Sequence, residues 1–91
     1  MDTETRAERR KRTISRLHRI QGQLAALERA IEADSTCEHL VIQAMSIEKA
    51  MSSLVIYMME GYLTHQAKSL LEENPEQGLK EIKRLFELVS R

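Results

Sequence analysis

Helical periodicity runs without interruption through the middle of this chain, and that run limits what the chain can fold into. Leu40, Ala44, Ile47, Met51, Leu54, Val55, Met58 and Tyr62 keep helical spacing, Leu70 and Leu71 extend the series, and the first clear stop is Asn74-Pro75. A helix of some 35 residues is roughly 50 Å long at 1.5 Å per residue. A compact chain of 91 residues has a radius of gyration of only about 12 Å, so this helix overhangs its own protomer. Val41, Met45, Val55, Ile56, Met58 and Met59 also widen its apolar face beyond what one neighbouring helix covers. Both features require a homo-oligomer in which the long helix packs against copies of itself.

The flanking segments are helical too. Thr5 with Glu8 reads as a capping box that opens a first helix, about residues 5–33. Ile14, Leu17, Ile20, Leu24, Leu27 and Ile31 follow it as a seam of the coiled-coil type. Ser35 with Glu38 reads as the capping box of the long helix, about 36–72. Asn74 and Pro75 open a short third helix, about 75–90, with Leu79, Ile82, Leu85, Phe86 and Val89 as its seam. Three Gly and one Pro are too few for the turns of a sandwich or barrel. The expected fold is all-α, a single three-helix domain spanning 1–91. There is no run of 18 apolar residues and no apolar N-terminal segment, so no membrane partner is expected. The lone Cys37 fits a reducing cytoplasm.

Net charge is zero, but it is unevenly placed. Residues 1–19 hold seven basic and three acidic residues, a net of +4, and the remainder carries −4. Six of those seven basics are Arg, which pairs bidentately with phosphate and guanine edges. Arg9, Arg12, Arg16, Arg19 and Gln23 recur at steps of 3, 4, 3 and 4, a stripe about 100° round the helix from the apolar seam. A basic edge on an acidic body is a footprint for a polyanion. Arg6 and Arg10 stand where the apolar seam would continue, so the first two turns are expected to project beyond the core. Gly22 inside this helix marks either a close backbone neighbour or a tolerated position.

Chemistry centres on Cys37, at the first turn of the long helix, where the helix dipole favours a thiolate. A side-by-side two-fold dimer pairs the long helices antiparallel. Centred near Met51, that pairing places Cys37 opposite the partner copy's stripe of Tyr62, His65 and Gln66. Thiolate plus imidazole suits Cu(I) or Zn(II), although two good donors are fewer than a tight site uses. Met45, Met51, Met58 and Met59 read as core filler rather than copper ligands. No phosphate loop or catalytic triad is present.

Arg16-Leu17-His18-Arg19-Ile20-Gln21-Gly22-Gln23 closely resembles the helix-1 signature R-L-x-R-I-x-G-Q of the copper-sensing repressor family, the CsoR/RcnR/FrmR type. Cys37 follows at the start of the next helix, and the similarity runs nearly end to end. The resemblance implies a disc-shaped homotetramer, a dimer of antiparallel dimers. It implies binding of a double-stranded DNA operator through helix-1 basics and an effector site between subunits at Cys37. By position, Arg16, Arg19 and Gln23 match the family's DNA face, and Arg9 and Arg12 continue it. The ligand His that the family carries 25 residues after the Cys is Tyr62 here, and the next ligand position is Gln66. His65 stands one residue before it, and a helix rotation would be needed to bring it into register. The basic residue usual 11 positions after the Cys is Glu48, with Lys49 beside it.

The expected function is a DNA-binding repressor, not an enzyme. Its DNA face is Arg9, Arg12, Arg16, Arg19 and Gln23; its effector site is Cys37, Tyr62, His65 and Gln66, with Cys37 and His65 as the metal donors. The effector is a reactive electrophile, aldehyde or sulfur species, or a metal such as Cu(I). A small helical enzyme of chorismate-mutase type and a non-enzymatic scaffold are the alternatives.

Overall fold

A computed structural model describes residues 4–91. It is all-helical, with no strand among the described residues. Helix α1 (Arg6–Glu32) begins where Thr5 is extended and its Oγ1 accepts a hydrogen bond from the Glu8 amide at 3.1 Å. That satisfies one of the four free N–H groups of a helix start. The chain reverses at Asp34, whose φ of 57° is left-handed, a conformation Asp tolerates better than most residues. The Asp34 and Ser35 amides donate back to the Ile31 and Ala30 carbonyls, each at 3.1 Å. Because Ser35 belongs to that reversal, Thr36 caps the next helix instead, accepting from the His39 amide at 3.2 Å. The cap is therefore one residue later than the Ser35–Glu38 spacing suggests.

Helix α2 (Cys37–Tyr62) runs without a break into a π turn (Leu63–Ala67) and then α3 (Lys68–Glu73). In the π turn the Lys68 amide bonds to the Leu63 carbonyl, five residues back. Together the three form one rod of 37 residues, and the molecule's longest dimension is 56 Å. By length and mean hydropathy the rod passes the threshold for a bilayer span. It also carries Glu48, Lys49 and Glu60 along its course, which a bilayer would penalise. Asn74 ends the rod and caps α4 (Pro75–Val89), its Oδ1 accepting from the Gln77 amide at 3.3 Å. Helix α4 folds back on α3. A Cβ on Gly78 would stand 2.9 Å from the Leu71 Cα, so only glycine allows this approach.

Helices α1 and α2 lie antiparallel, Arg9 meeting Tyr57 and Arg16 meeting Ser53. Their shared core is small: Ile20, Ile47 and Leu54, with Leu27 and Ala50 packed against it. The α1 seam is divided, since Ile14, Leu17, Leu24 and Ile31 stay exposed. On α2, Val41, Ile42, Met45, Met51, Val55, Ile56 and Met58 are also exposed. Most of the methionines read as core filler are thus outside the core of the single chain. The radius of gyration is 17.5 Å, against about 12 Å for a compact chain of this length. The accessible surface is 7235 Å², about a third above the size expectation of roughly 5,400 Å².

Candidate nucleic-acid interface and effector site

The arginine stripe of α1 meets the C-terminal half of α2 at one aromatic ring. The guanidinium of Arg9 lies 4.1 Å from the centroid of the Tyr57 ring, and that of Arg16 lies 4.9 Å from it. Arg16 Nη2 also donates to Ser53 Oγ at 2.7 Å. The Tyr57 hydroxyl donates to Glu4 Oε1 at 2.8 Å, and the other oxygen of Glu4 sits 3.2 Å from Arg12 Nη1. Burial, then the hydrogen bond and charge of Glu4, push the Tyr57 hydroxyl above its usual pKa of 10.0, while Arg9 and Arg12 pull it back.

Within this cluster Arg9, expected on the DNA face, is the buried member and packs against α2. Only 7% of it is exposed. Its Nη1 donates to the Tyr57 carbonyl at 2.6 Å, its Nη2 lies 3.6 Å from Glu60, and its Nε lies 4.0 Å from Glu4. Its stem crosses Gly61 so closely that a Cβ there would stand 2.8 Å from Arg9 Cδ. The first turns of α1 therefore pack onto α2 and do not project freely. The physical reason is that Tyr57 and Gly61, four apart on one face of α2, offer a ring and a gap that together accept a guanidinium. Helical spacing alone does not single out Tyr57, Ser53 or Glu4. The signal available in the sequence is this small residue one turn from an aromatic.

The other members of the stripe differ. Arg12 is 63% exposed at its side chain although paired with Glu4. Arg19 is exposed and makes no ion pair among the described residues. Gln23 is half-buried, its Oε1 buried without a hydrogen-bond partner. Arg12, Arg16 and Arg19 thus form the accessible part of the edge.

Cys37 is exposed, with a free thiol. Tyr62, His65 and Gln66 are at the other end of α2 and line one open groove of about 390 Å³ against the first turns of α1. The 25 residues from Cys37 to Tyr62 span roughly 37 Å of helix, so one chain cannot bring them together. Tyr62 Oη lies 3.5 Å from Glu81 Oε2, which also accepts from Arg84. His65 is half-buried, and its Nε2 is buried with no partner. The π turn carries more residues per turn than an α-helix. It therefore delays the helical phase from Leu63 onward and turns His65 away from the register of the next ligand position, not into it. No cluster of three metal-binding side chains occurs among the described residues. One thiolate and one imidazole from two chains do not fill a tetrahedral Zn(II) site.

Residues 9–91 match the profile of a family described as metal-sensitive transcriptional repressors. The chain belongs to that family. Among curated proteins, it is 29% identical over 76 residues to an uncharacterized protein encoded in the bioA 5′ region of Serratia marcescens, covering 84% of this chain and 82% of that one. It is 26% identical over 73 residues to the copper-sensing transcriptional repressor CsoR of Bacillus subtilis, covering 79% of this chain and 72% of the other. No solved structure matches it significantly. The family agrees with the resemblance carried by the Arg16–Gln23 segment.

Proposed function

We propose that this family member is a cytoplasmic repressor that binds duplex DNA as a homotetramer and leaves its operator when an effector acts at Cys37. The arrangement that carries the reading is the α1 edge, where Arg12, Arg16 and Arg19 stand on one accessible stripe and Arg16 is held by Ser53 and Tyr57. A guanidinium fixed before binding loses less freedom when it meets a phosphate. Phosphate contacts from this edge position the protein, and groove shape adds selectivity. The exposed Val41, Met45, Met51, Val55 and Ile56 of α2 supply the surface for a second copy and then a second dimer. Antiparallel pairing brings Cys37 of one chain to the Tyr62–Gln66 groove of the other. An effector there shifts the packing of the α2 copies, and the basic edges lose the spacing the duplex requires. We read the chain as a regulator, not an enzyme.

A gel shift on its own promoter DNA across a range of salt tests this. Arg16→Ala is expected to weaken binding to many sequences and to flatten the salt dependence. Wild-type affinity and salt slope in that variant would refute the DNA face. Cys37→Ala is expected to keep DNA binding and lose induction; a fully inducible Cys37→Ala protein would refute the thiol mechanism.

A further inference from the structure

The groove at the Tyr62 end of α2 has the wrong charge for a cation. Arg6 and Arg10 line it from α1, and no carboxylate does among the described residues. Unlike Arg9, neither is engaged in an ion pair among the described residues. They are four apart on α1, so they share a face and repel one another. Arg6 is also the first residue of α1, where the helix dipole adds positive potential. Ile14 and Met58 add apolar lining to the same groove. His65 also lines the groove, with its Nε2 buried. A site of this kind raises the energy of a metal ion and lowers that of an anion.

We propose that the groove binds a small organic carboxylate, its head group bridging Arg6 and Arg10 and its apolar body lying on Ile14 and Met58. Carboxylate oxygens match the fork of a guanidinium, and one anion between two guanidiniums relieves their repulsion. A volume of about 390 Å³ accommodates a body of several carbons. His65 lines the same groove, so its ring protons report on an occupant. In a family named for metal sensitivity, this member would sense an anion at the corresponding end of α2. The inference rests on reading that end as the sensing end, but its test uses no DNA and stands apart from repression.

The test is a titration of the intact, DNA-free protein with sodium hexanoate at constant ionic strength. It is followed by NMR of methionine methyl groups and histidine ring protons, with Met58 assigned from Met58→Leu. Saturable shifts at Met58 and His65 are expected. They should weaken about tenfold or more in Arg6→Gln/Arg10→Gln, as loss of charge-assisted hydrogen bonds implies, and be as weak with the neutral 1-hexanol. The two single variants, each checked for wild-type helicity, should fall between. No saturable shift, an equal response to hexanol, an unchanged affinity in the double variant, or tighter displacement of the same resonances by Cu(I) or Zn(II) would each overturn the proposal. Weaker DNA binding by the double variant without any hexanoate response would also overturn it, making these arginines phosphate contacts.

Discussion

Replacing Glu4 with Gln should make the protein less stable yet a tighter DNA binder. The Glu4 side chain is only 18% exposed and 3.2 Å from Arg12, and it accepts the Tyr57 hydroxyl at 2.8 Å. Gln keeps the shape and removes the charge. The hydrogen bond from Tyr57 loses its ionic partner, which costs about 1 kcal/mol of folding stability. The Arg12–Glu4 pair adds little to that, because Arg12 is 63% exposed and exposed pairs are worth at most about 1 kcal/mol. That same 1 kcal/mol is what a DNA phosphate must overcome to take Arg12 from Glu4. Its removal raises affinity up to about fivefold for each protomer on the duplex. To the extent that Glu4 keeps Arg12 off the phosphate in the wild type, its release also steepens the slope of log K against log salt, by at most about 0.9 per protomer. Fluorescence anisotropy of a labelled operator at several salt concentrations measures both quantities, and urea unfolding measures the stability. Unchanged or weaker affinity with an unchanged slope would refute the view that Glu4 competes with DNA for Arg12.

Other expectations rest on the same contacts. Tyr57 keeps its proton above its usual pKa of 10.0 when folded, whereas the unfolded chain ionises there. The folded form then binds more protons, so this contribution is complete below pH 10 and is lost as pH rises through the folded value. Urea midpoints of wild type and Tyr57→Phe should therefore converge above pH 10; a gap that stays constant would contradict this. Gly61→Ala drives a methyl into the Arg9 stem and is expected to cost about 1–3 kcal/mol, measured by thermal unfolding; a neutral result would mean that Arg9 is not held there. A Cβ on Gly22 would meet no neighbour within 4 Å, so Gly22→Ala should stabilise an isolated protomer by about 1 kcal/mol. Destabilisation or a changed assembly in sedimentation would place another copy against Gly22.

The helices are legible in the sequence because their signals are local. Thr5 and Asn74 each cap through a side chain that bonds an amide three residues ahead, and hydrophobic spacing carries the segments between. The α2 cap falls on Thr36 and not Ser35 because a reversal at Asp34 uses Ser35. No local pattern distinguishes the two residues. The burial of Arg9 cannot be read from the spacing for a different reason. On α1 alone it belongs to the same stripe as Arg12 and Arg16, and only the register against α2 sets it over Tyr57 and Gly61. The apolar seams show the same limit in reverse: periodicity identifies Ile14, Leu17 and Leu24 as apolar-facing, but the single chain buries Ile20 and leaves those three exposed. The π turn leaves no mark in the spacing, since Leu63–Ala67 contains neither Gly nor Pro.

The protomer is thin, and that has a consequence for how information crosses it. Met58 lines the groove, and its neighbour in sequence, Tyr57, carries Arg16 on its ring. A small rotation of α2 about its own axis, imposed from the groove side, would swing the Tyr57 plane and redirect the charge above it. Consecutive residues stand only about 100° apart on a helix, so such a rotation would couple the two side chains without any relay through a deep interior.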